Sequence, residues 1–277
     1  MPELPEVETI KQNLELLIIG KIVAEVVLRR PDLRIPIPKA LPQVLKEHQV
    51  IAVERRAKYL LLTFDHNRVV ILHLGMSGRI RFERTLKKDF QTHDHVVFIF
   101  TDGSAIVFND PRRFGLIELT AVDVLGQHPL FKHLGPEPLH LDFTGELLFD
   151  TIHQRHKAIK LALMDNQVVV GVGNIYASES LYQAGIHPLR PCSSLTKDEC
   201  EALVACIKQV LVRAIDAGGS TLKDYSQVSG ESGYFQHQFL VYGRDKEPCQ
   251  QCNHIIEKEV IGGRSSFFCV ICQPVNR

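Results

Sequence analysis

The tightest constraint on this chain lies near its C-terminus. Cys249 and Cys252 form one Cys-x-x-Cys pair, Cys269 and Cys272 form a second, and sixteen residues separate the pairs. Each such turn presents two thiolates to one tetrahedral ion, and two turns close the shell. A closed shell has no open position for water, so this metal is structural and not catalytic. The spacing predicts one structural Zn2+ per chain. Two redox pairs are the other reading of the same residues. Residues 241–277 are too few to bury much core, so metal binding supplies their folding energy. The stretch IIEKEVIGGRSSFF between the pairs suits a β-hairpin with a Gly-Gly turn. Arg264 falls just past that turn, at the tip. A guanidinium there could grip phosphate through two parallel hydrogen bonds, although spacing alone reads it as an ordinary exposed arginine. Cys192, Cys200 and Cys206 are scattered and odd in number, which fits a reducing compartment and not a disulfide framework.

The rest of the chain divides by pattern. Residues 5–18 read as a helix: Pro5 suits a first position, Glu6 and Glu8 suit the positive end of the dipole, and Val7, Ile10, Leu14, Leu17 and Ile18 share a face. The segments IVAEVVL, VIAVE, YLLLTF, RVVILHL, HVVFIF and AIVF follow, short, β-branched and punctuated by turn residues. They predict an antiparallel β-sandwich with one leading helix. Residues 134–144 carry two prolines and no period, and read as a linker. Helices are expected over 145–157, 174–184 and 197–216. The polar, Gly/Ser-rich stretch 219–237 is long for a plain connector. The fold class is α+β multidomain: a sandwich over 2–133, a helical domain over 145–240 and a zinc module over 241–277.

Nothing in the sequence spans a membrane, since no run of about 18 apolar residues occurs. The start, MPELPEVE, has no apolar signal core, so a cytoplasmic protein is expected. The formal net charge is zero, but it is unevenly spread. Residues 21–84 hold thirteen Lys/Arg against six Asp/Glu, and residues 85–150 hold five against ten. The first stretch can form a phosphate-binding surface or simply a solvated basic one.

Residue 2 is proline. Removal of Met1, usual before a small residue, leaves a secondary amine at the terminus. Such an amine titrates near about 7.7–8, so part of it is unprotonated at neutral pH. It can attack carbon and form an iminium, the Schiff-base route of covalent catalysis. That cation acidifies the neighbouring carbon and prepares elimination. Glu3 adjoins the amine and could act as acid or base. Read alone, Pro2 and Glu3 are an ordinary N-terminus.

Longer strings decide between these readings. PELPEVE, AKYLLL, HLGMSGR, NDPRRFG, LGPEPL, LMDNQVVVGVGNIYASE, GIHP, YGR and GGRSSFFC occur in this order. Together they resemble the formamidopyrimidine-DNA glycosylases along nearly the whole chain. The resemblance implies a β-sandwich domain, a helix–two-turn–helix domain and a zinc finger, with damaged double-stranded DNA as partner. It implies removal of oxidised purines followed by strand cleavage, with no organic cofactor and a monomer at work. Pro2 matches the nucleophile on C1′, Glu3 the acid that helps open the sugar, and Glu6 a second acid near the site. Lys58 matches the lysine of β-elimination and Arg264 the arginine of δ-elimination. Met76, Arg112 and Phe114 match the wedge that fills the gap left by a flipped base. By residue type alone, Met76 and Phe114 read as core. His93, Arg112, Arg155, Lys160 and Asn174 match DNA-contacting positions. The stretch 219–237 matches the loop that closes over the base. The chain lacks tryptophan, and IKLA stands where many relatives carry a bulkier pair.

Two rivals remain at this level. One is an endonuclease VIII-type glycosylase on oxidised pyrimidines. The other is a zinc-ribbon nucleic-acid-binding protein without catalysis.

Overall fold

The structure, a computed structural model, describes residues 2–86, 89–220, 228 and 233–275. The chain forms two compact units, Met1–Lys132 with Ala217–Tyr234, and His133–Asp216 with Phe235–Arg277.

The first unit opens with helix α1 (Leu4–Ile18). Its Val7, Ile10, Leu14 and Ile18 are buried, while Leu16, a residue off that stripe, is exposed. Strand β1 (Val23–Leu28), the short helix α2 (Leu41–Leu45), and strands β2 (Val50–Arg56), β3 (Tyr59–Phe64) and β4 (Arg68–His73) follow. Then come β5 (Arg79–Glu83), β6 (Asp94–Phe100), β7 (Ala105–Asn109) and β8 (Leu116–Thr120). They make two four-stranded sheets, in the orders β1-β6-β7-β5 and β2-β3-β4-β8. Neighbours pair antiparallel throughout. One core joins α1 to both sheets: Val26, Ile80, Phe98 and Phe108 from the first meet Leu60, Leu62, Val70, Leu72 and Ile117 from the second. Alternation along each strand delivers these residues to one face.

The sequence pattern passed over β5, β8 and α2. In β5 only Ile80 is buried, and Arg81 is held by Asp94 at 2.9 Å, a partner that local sequence does not reveal.

The second unit holds α3 (Gly145–Ile152), α4 (Ile159–Leu163), α5 (Asn174–Gln183), α6 (Lys197–Asp216), and the hairpin β9 (Glu257–Ile261) and β10 (Arg264–Phe268). Thr144 caps α3 by accepting from the Leu147 amide at 3.1 Å. Thr196 and Glu199 cap α6 reciprocally, at 3.1 and 3.0 Å. The α6 stripe Cys200, Leu203, Val204, Ile207, Val210, Leu211 and Ala214 is buried. Burial pushes the Cys200 thiol up to about 11, so this cysteine serves as packing.

The helix expected over 145–157 stops at Ile152. Beyond it the backbone bonds elsewhere: the Cys192 amide donates to the Lys157 carbonyl and the Ser193 amide to the Arg155 carbonyl, both at 3.0 Å. Packing also cuts the chain differently from the expected boundaries 2–133, 145–240 and 241–277. Residues 134–144 belong inside the second unit, where Phe143 is fully buried and the Gly135 amide donates to the Asn166 carbonyl. Of the described residues in 217–234, Ser220 and Val228 pack with the first unit. The zinc module joins the second, where the buried Glu179 carboxylate accepts the amides of Leu240, Val241 and Tyr242. Most of the 219–237 loop, namely 221–227 and 229–232, lies outside the described residues.

Candidate active site and zinc centre

Pro2 and Glu3 are buried at the start of α1. Glu3 sits at the N-cap, and its amide donates to Glu6 Oε2 at 2.8 Å. Glu6 is 1% exposed, and its other oxygen accepts from the amide and hydroxyl of Ser220 at 2.8 and 3.0 Å. One carboxylate thus fixes the residue after Pro2 and one root of the 219–237 loop. That root is tight: Gly219 has φ +79°, and a Cβ on Gly233 would lie 2.3 Å from the Gly219 carbonyl oxygen. The two roots are bridged by Ser220 and Tyr234 in antiparallel fashion.

Lys58 occupies the two-residue turn between β2 and β3, beside Ala57 at φ +54°. This turn has a brace that the sequence reading missed. Arg55 Nε donates to Glu8 Oε2 at 2.6 Å, and Arg55 Nη1 donates to the Ala57 carbonyl at 2.9 Å. Helix α1, which presents Pro2, therefore also holds the lysine turn. His73 was passed over too. Its cross-strand partner is Tyr59, with ring centroids 4.8 Å apart. Burial first, then the charges of Lys58 and Arg34, bring its imidazole down to about 4. Its Nδ1 accepts the Gly75 amide at 3.0 Å, as a neutral ring can. Strand register was the signal: 73 lies opposite 59, next to 58.

The residues matched to the wedge are not core. Met76 is 37% and Phe114 44% exposed, contrary to what their type suggests. The Arg112 guanidinium lies over the Phe114 ring, 4.8 Å from its centroid. Their two loops are locked together beneath. Buried Asp110 accepts from Ser77 Oγ at 2.6 Å and from the Gly115 amide at 2.8 Å, and Ser77 Oγ accepts the Arg112 amide at 3.1 Å. A Cβ on Gly75 would lie 2.4 Å from the Phe114 carbonyl carbon, so only glycine allows this approach. His93 is exposed, while His95 is buried with Nε2 on the Asp110 carbonyl at 2.8 Å.

The remaining candidates lie in the second unit. Arg155 Nη1 pairs with Asp165 at 3.2 Å, and Lys157, a cation the sequence reading missed, pairs with the same carboxylate at 2.8 Å. Lys160 requires a correction. It is 0% exposed, so a phosphate cannot reach it as placed. Its Nζ donates to Ser266 Oγ and, at 3.3 Å, to the Ser265 carbonyl. Asn174 Nδ2 donates to that carbonyl at 2.9 Å, and its buried Oδ1 has no partner among the described residues. Both side chains converge on the strand that begins with Arg264. Arg264 itself is exposed, opposite Ile261, across a Gly262–Gly263 turn with φ +58° and +75°. Two positive φ values are what a tight two-residue hairpin requires.

One sulfur from each of the four cysteines lies within 4.8 Å of all the others. Cys249 and Cys272 are 3.8 Å apart, and Cys252 and Cys269 are 3.5 Å apart. Four thiolates at about 2.3 Å around a tetrahedral zinc would stand about 3.8 Å apart. The residues therefore fit one Zn2+. The Tyr182 hydroxyl lies 3.0 Å from Cys249 Sγ, an outer-shell contact that orients the ligand.

Comparison with known proteins agrees across the chain. The formamidopyrimidine-DNA glycosylase N-terminal domain matches residues 1–117 and the H2TH domain of the same family residues 134–226. A zinc finger found in FPG and IleRS matches residues 246–275. The formamidopyrimidine-DNA glycosylase of Paracoccus denitrificans is 47% identical, with 99% of this chain and 100% of that protein covered. The chain belongs to the formamidopyrimidine-DNA glycosylase family. The Neisseria meningitidis member is 48% identical over the same shares. Among solved structures, Lactococcus lactis Fpg in complex with abasic-site DNA superposes with TM-score 0.91 at 33% identity, covering 98% of this chain and 99% of that one. MutM (Fpg) from Thermus thermophilus gives 0.88 at 36%, covering 98% of each. Family membership turns the CxxC pairs into the zinc finger of these glycosylases, not redox pairs. Among the described residues, no helix is long and apolar enough to cross a membrane.

Proposed function

We propose that this protein is a base-excision-repair glycosylase and AP lyase that removes oxidised purines from duplex DNA through Pro2. The observation that carries the reading is the buried Pro2–Glu3 terminus, pinned by Glu6 to the root of the 219–237 loop. Related structures hold DNA with an abasic site and with Fapy-dG, the product and substrate classes expected here.

Once Met1 is removed, the Pro2 nitrogen lone pair attacks C1′ of the flipped nucleotide. The C1′–N bond breaks and the base leaves with the bonding pair. Glu3 delivers a proton to the sugar ring oxygen as the ring opens, leaving an iminium between Pro2 and C1′. The iminium acidifies C2′. Loss of a proton there expels the 3′ phosphate, with Lys58 as proton donor in this β-elimination. Arg264 holds phosphate through a second, δ-elimination on the 5′ side. Zinc supplies only the fold of the hairpin that bears Arg264. Met76 and Phe114 fill the vacated stack, and Arg112 hydrogen-bonds the orphaned cytosine. His93, Arg155 and Asn174 serve as backbone contacts, whereas Lys160 is taken as a tether for the Arg264 strand. We place the protein in the cytoplasm, working as a monomer on the nucleoid.

Borohydride reduction with an 8-oxoguanine:cytosine duplex tests this. Covalent trapping should map to the Pro2 peptide and fall sharply in Pro2→Gly, whose primary amine gives an uncharged imine in place of the iminium. Trapping at another residue, or preference for thymine glycol over 8-oxoguanine, would overturn it.

A further inference from the structure

Two turns of the first unit bring a second set of metal-type donors together, apart from every residue assigned above. His48 lies between α2 and β2, and Asp65 and His66 lie in the turn between β3 and β4. His48 Nδ1 is 2.6 Å from Asp65 Oδ1, and His66 Nε2 is 3.8 Å from Asp65 Oδ2. The two imidazoles stand edge to face with centroids 5.1 Å apart. One donor atom from each residue lies within 4.8 Å of the other two.

The framework does not depend on an ion. The Asp65 amide donates to the Gln49 carbonyl at 3.0 Å, and the Gln49 amide returns a bond to Asp65 Oδ1 at 3.2 Å. The backbone thus aligns the turns before any ligand arrives. His66 and Asn67 both adopt positive φ, +51° and +63°. An L-residue rarely adopts that left-handed conformation, and here it aims an imidazole at the carboxylate.

Two ligands at about 2.0–2.2 Å from a tetrahedral ion stand about 3.4 Å apart. His48 Nδ1 shares a proton with Asp65 Oδ1 at 2.6 Å, which an ion would displace, and His66 Nε2, 3.8 Å from the other carboxylate oxygen and 76% exposed, has room to adjust. Two imidazoles and one carboxylate are the donor set of borderline ions, not of Mg2+ or Ca2+. We propose that His48, Asp65 and His66 form a second metal site that takes one divalent transition ion, Zn2+ or Ni2+. Three protein ligands leave at least one position to water. The ion exchanges, unlike the zinc enclosed by four cysteines, and its binding staples the α2–β2 turn to the β3–β4 turn.

The test titrates the full zinc-loaded protein with NiCl2 by calorimetry, with total metal counted after dialysis. Wild type should bind one nickel beyond the ribbon zinc. His66→Asn keeps a residue that tolerates positive φ and should weaken nickel binding at least tenfold, as should His48→Gln. Ribbon zinc content and melting temperature should stay unchanged in His66→Asn. Nickel binding that survives both substitutions places the ion on other histidines and overturns the proposal, as does a wild type that binds none.

Discussion

The β2–β3 and β9–β10 hairpins share a plan. Each makes a two-residue turn, and each offers one cation there, Lys58 in the first turn and Arg264 just after the second. They are held by different means. Strand β3 is buried almost along its length, inside a core drawn from two sheets and α1. Strand β9 is exposed except at Ile261, and its hairpin is secured by four sulfurs, Lys160 and Asn174. A large apolar core, with the Arg55 brace, can support the Lys58 turn without a metal. A module of this size cannot, so metal and buried polar ties replace the core.

Removing zinc should break the comparison most strongly. Zinc-finger peptides gain about 10–16 kcal/mol from the metal, far more than the rest of such a module supplies. Chelation, or Cys269→Ser, should unfold β9–β10 and abolish DNA binding, while the sandwich melts as before. Circular dichroism and a DNA-binding titration on the same sample check this. A metal-free protein that binds DNA normally would show that the second hairpin needs no staple.

His73 sharpens the account of the first hairpin. Its imidazole titrates at about 4 in the fold, below its ordinary 6.5, because burial and the neighbouring cations disfavour the charged ring. Between these values the unfolded chain binds a proton that the folded chain does not. The stability involved is complete above about pH 6.5 and is lost as pH falls toward 4, at most about 3 kcal/mol. His73→Asn keeps an acceptor for the Gly75 amide and removes the titration. Its melting temperature should fall less than that of wild type between pH 7 and pH 4.5. Parallel pH curves would mean the ring is not neutral beside Lys58.

Lys160 tests the polar tie in the second hairpin. Lys160→Met removes the donor to Ser266 Oγ and to the Ser265 carbonyl, and should cost about 2 kcal/mol. If the lysine positions Arg264, δ-elimination should slow while glycosylase and β-elimination rates hold, and the salt dependence of DNA binding should not change. A direct phosphate contact would instead lower the salt slope by about one counterion.

These contrasts also mark what the sequence could reveal. The four cysteines, the Gly-Gly turn and the α1 stripe are local patterns, and each was legible. Met76 and Phe114 were assigned as wedge only through the family resemblance. Their exposure depends on Ser77 and Asp110 locking two loops 33 positions apart. The burial of Lys160 could not be read, because Ser266 lies 106 residues away and nothing in Ala-Ile-Lys announces it. The Glu8–Arg55 brace spans 47 residues and was invisible for the same reason. Local chemistry can be read from one segment, whereas burial of a charge is decided by what a distant segment brings to it.

The smallest effects should come from the turn residues, and they separate strain from support. Gly263 has φ +75° and nothing within 4 Å of where its Cβ would be. Gly263→Ala therefore tests backbone conformation alone and should destabilise the module by about 1 kcal/mol. Ala57 already occupies the left-handed region at φ +54° while 2% exposed. Ala57→Gly relieves that conformation but loses a buried methyl, worth about 0.8 kcal/mol, and frees the unfolded chain by about 0.5–1 kcal/mol. The terms oppose, so the net change should be within about 0.5 kcal/mol. Urea unfolding of both variants at saturating zinc measures the difference. Should Ala57→Gly stabilise the first unit by more than about 1 kcal/mol, the Lys58 turn is strained beyond what its core and the Arg55 brace offset. In that case the two hairpins differ in stored strain as well as in what holds them.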